Sequence, residues 1–315
     1  MSKREAVLNL LDKNKRPDYI PAAFFLHFGQ AYHRGQAAVD KHLEYFRHTG
    51  MDFVKIQFEI DHPQVTEIQK PSDWAKMPFF KKEFYEAPLG VAEGLVKAAK
   101  KDALVVMTLY SPFMEACHFT SSDLVTAHIK EDPQQVKCGM EIITDSLMIF
   151  VKECIHLGID GFYTSTQGGE AGRSTDASLF DQCIRPYDLA LMQEINRSCI
   201  FNILHICDYN LPYTDLNRFL DYPGQVVNCS LELANGKQTS GAEVSRMFGR
   251  PYMGGMERKG TIASSSQAEV KKAAEAVLRS APERFILAAD CTVPGDTPWD
   301  NLKTAIDTAH SFKRI

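Results

Sequence analysis

The sequence predicts an α/β fold: a (β/α)8 TIM barrel with an N-terminal helix before it and an insertion after its second strand. Three observations lead there. Eight apolar, β-branched and aromatic runs alternate with segments of helical period along all 315 residues. The runs are largely continuous in apolar character, as expected of parallel strands buried on both faces. No low-complexity linker or internal repeat divides the chain, so residues 1–315 read as one domain, of a size common for such barrels.

Taken in order, "SKREAVLNLLDKN" (2–14) reads as an amphipathic helix that precedes the first strand and packs beneath the barrel. The candidate strands are "YIPAAFFLHF" (19–28), "FVKIQFEI" (53–60), "ALVVMTLY" (103–110), "GFYTST" (161–166), "CIFNILHIC" (199–207), "QVVNCSLE" (225–232), "RPYMGGM" (250–256) and "RFILAADC" (284–291). The sixth is short and the seventh carries two glycines, so an open doubly wound sheet is the alternative architecture. Helical period marks 38–50, 134–158, 188–198 and 267–280, with Gly50 and Gly158 at expected C-cap positions. Residues 61–100 form the insertion, whose length suggests a lid over the strand ends.

Net charge is −5, hydrophobic residues make up 44%, and no Lys/Arg block or stripe occurs. Neither nucleic acid nor an anionic membrane is expected as a partner. No apolar stretch approaches the ~18–20 residues a membrane span requires, and "MSKREAVLNL" lacks the apolar core of a secretory signal. The expectation is a cytoplasmic, reducing location. There the eight irregularly spaced cysteines are packed as small hydrophobes or serve metal and redox chemistry.

One stretch favours metal. In "LHICDYN" (204–210), His205 and Cys207 lie two apart at the end of the fifth candidate strand, so their side chains share a face. Cys291 ends the eighth, and in a barrel all strand ends open on one mouth. Two thiolates and an imidazole suit zinc, and three protein ligands leave a fourth position for water or substrate. Cobalt or iron fits the same set.

Other strand-end residues are candidates beside packing alternatives. Glu59 would be a fourth ligand or general base, or a carboxylate capping the insertion. Tyr110 and Gln167 are candidate catalytic residues, and Tyr163 and His27 candidate cofactor-binding residues; a rim or structural role explains each as well. Asp208 and Asp290 flank the cysteines and should support them from behind. "TQGGEAGRST" (166–175) lacks the spacing of a phosphate loop and reads as a flexible loop over the site. "MGGM" (253–256) would admit a flat cofactor, or simply serve barrel packing.

His-x-Cys with a distant Cys resembles the zinc motif of the methylcobamide:coenzyme M methyltransferase branch of the uroporphyrinogen decarboxylase superfamily. "GMDFVKIQFE" (50–59), "LGIDGFYTSTQ" (157–167), "SLFDQCIRPYDLAL" (178–191), "NILHICD" (202–208), "RPYMGGM" (250–256) and "CTVPGDTPWDNL" (291–302) follow in the expected order. The resemblance implies a zinc-dependent methyltransferase moving a methyl group from a corrinoid donor to a metal-activated small thiol. The chain has no Asp-x-His-x-x-Gly cobalamin motif, so the corrinoid would ride on a separate protein. True uroporphyrinogen decarboxylases open with an arginine-rich stretch that holds carboxylates; here "FFLHFGQAYHRG" (24–35) has only Arg34. A glycine-histidine pair near the last strand is replaced by Asp290-Cys291. The alternatives are a decarboxylase or lyase acting on a smaller acid, or a non-catalytic metal- or tetrapyrrole-binding protein.

Overall fold

The computed structural model describes residues 2–15, 18–174 and 176–314. Seven parallel strands form one sheet in chain order: β1 Phe53–Ile56, β2 Leu104–Tyr110, β3 Gly161–Thr166, β4 Ile203–Ile206, β5 Val226–Cys229, β6 Tyr252–Met256 and β7 Phe285–Ala289. Before the sheet come α1 (Lys3–Leu11) and α2 (Gly35–Thr49). The helices α3 (Glu86–Ala99), α4 (Pro112–Phe119), α5 (Ser122–Glu131), α6 (Pro133–Leu157), α7 (Ala177–Cys183) and α8 (Arg185–Ser198) return the chain between the first four strands. A 3-10 turn stands between β4 and β5, and α9 (Gly241–Phe248), α10 (Thr261–Ser264), α11 (Gln267–Ser280) and α12 (Trp299–Ser311) complete the layer. Among the described residues no helix is long and apolar enough to cross a membrane.

The first candidate strand departs from expectation. Residues 19–28 stay extended but contribute a single parallel bridge, Ala22 to Leu287 of β7. Pro21 has no N–H to give, so only its carbonyl joins β7, accepting from Leu287 N. On the other side the contact with β1 is made largely by side chains. Asp52 Oδ2 accepts from Ala22 N at 2.7 Å, and Gln57 Nε2 donates to Leu26 O at 2.6 Å. Tyr45 of α2 donates to Phe24 O at 2.9 Å. The segment therefore occupies the eighth stave of the barrel with its backbone satisfied by neighbours instead of a ladder.

Capping places the helices as their sequences imply. Gly50 and Gly158 end α2 and α6 in the left-handed region, at φ 74° and 89°. Helix α1 closes the amino end of the barrel: Arg4 pairs with Asp160 at 2.7 Å, one residue before β3, and Lys3 lies 3.7 Å from Asp52. The glycines of β6 answer to packing. Gly254 and Gly255 have φ of 148° and 100°, and a Cβ on either would strike the Tyr252 or Val277 side chain.

The insertion after β1 does not roof the barrel. Its first part, 61–85, runs down the outside of α4 to α6. Val65 N donates to Phe119 O, Trp74 Nε1 to His128 at 3.1 Å, and Phe80 N to Ser146 at 3.0 Å. The fully buried Trp74 anchors it there, because so large an apolar ring gains most by leaving water. The remainder is α3, an ordinary barrel helix.

Asp52 is fully buried and accepts hydrogen bonds from Ala22 N, Tyr19 Oη and His310 Nε2. Asp52→Ala strands these donors and should cost roughly 3 kcal/mol of unfolding free energy in a urea titration. A loss below about 0.5 kcal/mol would show that the eighth stave is held otherwise.

Candidate metal centre

Residues two apart on a strand face one way, and in β1 to β4 the inward positions at the carboxyl ends are polar. They are Lys55 and Gln57, Thr108 and Tyr110, Tyr163, Ser165 and Gln167, then His205 and Cys207. The ladder keeps them level: Tyr110 pairs with Ser165, Ser165 with His205, and His205 with Asn228. Together with Arg258 and Cys291 they line a cavity of about 590 Å³.

His205, Cys207 and Cys291 meet at its floor, all buried, with their ligand atoms within 4.8 Å of one another. Cys291 Sγ lies 3.4 Å from His205 Nε2. Around a tetrahedral zinc, with Zn–S near 2.3 Å and Zn–N near 2.05 Å, that separation is about 3.5 Å. The three donors thus fit one soft divalent ion. The two thiols lie side by side and buried. The neighbouring Cys291 pulls the Cys207 thiol well below its ordinary value, against burial and with help from His205. The same neighbour effect, together with burial, pushes Cys291 up.

The surrounding residues fix the geometry. The His205 ring stacks on Tyr163 with centroids 4.7 Å apart, and its Nδ1 is buried without a hydrogen-bond partner among the described residues. Stacking therefore orients this imidazole where an acceptor usually does. Tyr163 Oη donates to Asn228 at 2.5 Å, and Asn228 donates to Met253 O and Ala289 O, tying β3 to the last two strands. Gln167 Nε2 donates to Cys207 Sγ at 3.3 Å. Asp208 and Asp290 both accept from Arg258 Nη1, at 3.0 and 2.8 Å.

The remaining candidates separate. Tyr110 and Tyr163 line the cavity, and His27 stands at its exposed rim. Glu59 is not among the residues that line the cavity: His27 Nδ1 lies 2.7 Å from its carboxylate and His33 Nε2 3.8 Å. The loop after β3, expected to be flexible, carries buried contacts at Glu170 and Arg173. Glu170 and Arg173 form a buried ion pair at 2.5 Å, and Arg173 also donates to Ser122 and Thr126. Only Gln167 of that loop faces the cavity, and Thr175 lies outside the described residues.

Lys55 and Arg258 were not anticipated. Lys55 is buried, donates to Gln57 Oε1 at 2.7 Å, and lies over the rings of Phe25 and Tyr163. Burial lowers its pKa to about 7, opposed by the charges of Cys291 and Glu59. The signal in the sequence was a lysine inside an apolar strand, two positions from a glutamine. Arg258 left no local trace because its partners lie 50 and 32 positions away.

With a folded pKa near 7 and an unfolded one near 10.4, the unfolded chain binds the extra proton between those values. Stability therefore gains a contribution as pH rises through that window. Lys55→Met should remove the gain, so the wild-type advantage in urea midpoint should be larger at pH 9.5 than at pH 7. Parallel pH profiles for the two proteins would contradict this.

No curated protein matches the sequence. Among solved structures, the chain is similar to a methyltransferase from Methanosarcina mazei: TM-score 0.78, 13% identity, 98% of each chain covered. It is also similar to the B12-independent methionine synthase from Shewanella sp. W3-18-1 in complex with selenomethionine, with TM-score 0.54 and 11% identity over 93% of this chain and 94% of that one. A putative vitamin-B12-independent methionine synthase from Listeria monocytogenes gives 0.54 and 12%, over 94% and 96%. These likenesses concern the fold. The family model described as Uroporphyrinogen decarboxylase (URO-D) matches residues 50–312, and the chain belongs to that family.

Proposed function

We propose that this protein is a zinc-dependent methyltransferase that moves a methyl group from a corrinoid, carried on a separate protein, to a small thiol. The observation that carries the reading is the convergence of His205, Cys207 and Cys291 on the cavity floor. The family and the fold shared with a methyltransferase support methyl transfer in general terms. Zinc, when bound, supplies a cationic site at which a substrate thiol becomes thiolate near neutral pH.

The chain's own residues account for the rest. His205, Cys207 and Cys291 hold the ion, Gln167 fixes the Cys207 sulfur, and Tyr163 fixes the imidazole. Among the described residues no carboxylate lines the cavity, whereas Lys55, Arg258 and Lys259 do. That imbalance suits a thiol carrying an acidic group, because a desolvated anion is stabilised by cations and repelled by buried carboxylates. Lys55 Nζ exchanges its proton near neutrality and so offers an acceptor within the cavity. In the net reaction the substrate sulfur bonds to the methyl carbon as the cobalt–carbon bond breaks. The electron pair stays on cobalt, and the thiol proton leaves.

Methylcobalamin incubated with the zinc-loaded protein and small thiols bearing sulfonate, carboxylate or no charge should yield cob(I)alamin and the thioether, fastest with an anionic thiol. Cys207→Ser should lower the rate by more than the roughly 10–100-fold that outer-shell changes cost. An unchanged rate in Cys207→Ser, or carbon dioxide release from an acid with no methyl transfer, would overturn the reading.

A further inference from the structure

A second cluster lies at the cavity edge, built from side chains the sulfur site does not use. His62 follows β1, and Glu115 and His118 sit three apart on one face of α4. Their ligand atoms also lie within 4.8 Å of one another. His62 Nε2 is 2.9 Å from one Glu115 oxygen, and His118 Nδ1 is 3.4 Å from the other.

Two features separate this cluster from an ordinary surface ion pair. The first is the carboxylate: Glu115 is 1% exposed, and among the described residues its oxygens meet only these two imidazoles. A buried anion without Lys, Arg or backbone donors calls for a cation. The second is rigidity. Gln64 Nε2 donates to His118 O at 2.8 Å and Val65 N to Phe119 O at 2.8 Å, so the backbone that carries His62 is fastened to the end of α4. Phe119 packs on the His62 ring and Tyr110 on that of His118, at centroid distances of 5.1 Å each. Arranged donors held by backbone and aromatic contacts are the features of a prepared site.

We infer that His62, Glu115 and His118 form a second site for a first-row divalent cation, distinct from the sulfur site in ligand type. Two imidazoles and a carboxylate favour zinc, iron(II), cobalt or manganese, and leave coordination positions free. His118 and Tyr110 both belong to the cavity wall, so an ion there would stand at the rim of the same chamber. The inference holds whatever reaction the sulfur site performs.

Cobalt(II) titration of the full, metal-stripped chain, with equilibrium dialysis and optical spectra, tests it. The wild type should bind about two equivalents, only one giving intense thiolate-to-cobalt absorption. The Cys207→Ser/Cys291→Ser variant should keep about one equivalent with weak ligand-field bands only. Adding His118→Ala, or separately His62→Gln, should abolish that remainder while circular dichroism stays unchanged. The inference is overturned if the folded cysteine variant binds no cobalt, or if binding survives both histidine substitutions. It is equally overturned if the wild type takes a single equivalent with full thiolate absorption, which leaves the sulfur site standing. Two equivalents without thiolate absorption would instead remove the methyl-transfer reading.

Discussion

The guanidinium of Arg258 holds the mouth of this barrel together. It donates to Asp208, the residue after Cys207, and to Asp290, the residue before Cys291. Two sulfurs that are remote in sequence thereby acquire a fixed separation, set by one planar group on the loop after β6. The three charges are mostly buried, with side-chain exposures of 9 to 13%. Such a triad contributes little net stability once desolvation is counted, yet it is costly to break, so its value here lies in geometry. The Nε of Arg258 is left without a partner among the described residues, a cost accepted at the same place.

Parallel topology supplies what the clamp then refines. Every strand of the sheet delivers its carboxyl end to one edge, and level registers carry Tyr110, Ser165, His205 and Asn228 around the interior in one band. Asn228 links three strands through its amide, and Tyr163 transmits that placement to the imidazole by stacking. The outcome is a buried floor where two thiols and an imidazole lie side by side. Above it the walls carry amine and guanidinium groups and, among the described residues, no carboxylate. Such a chamber favours anions at its centre and a soft cation at its base.

Much of this was legible in the sequence. Seven of the eight candidate strands form, including the short run ending in β5 and the glycine-bearing β6, and the ligand trio is brought together. The first, 19–28, stays outside the ladder for a local reason: Pro21 interrupts the donor series, and Asp52 and Gln57 satisfy the segment by side chain, which no periodicity encodes. The insertion's path also escaped, because the burial of Trp74 against α5 and α6 is a tertiary matter. Glu59, a candidate from its place at a strand end, stands beside His27 and His33, neighbours that its sequence position does not reveal. Lys55 was readable in principle as a charge at an inward strand position. Arg258 and the His62–Glu115–His118 cluster depend on contacts between distant segments, and one chain alone gives no sign of these.

The central claim is that His205, Cys207 and Cys291 jointly hold one zinc with room for a substrate sulfur. X-ray absorption at the zinc edge measures this directly. With one metal equivalent added, the account predicts a four-coordinate shell of two sulfurs and two light atoms. Addition of the thiol substrate should convert it to three sulfurs and one nitrogen. A shell of nitrogen and oxygen alone, or one unchanged by the thiol, would contradict it.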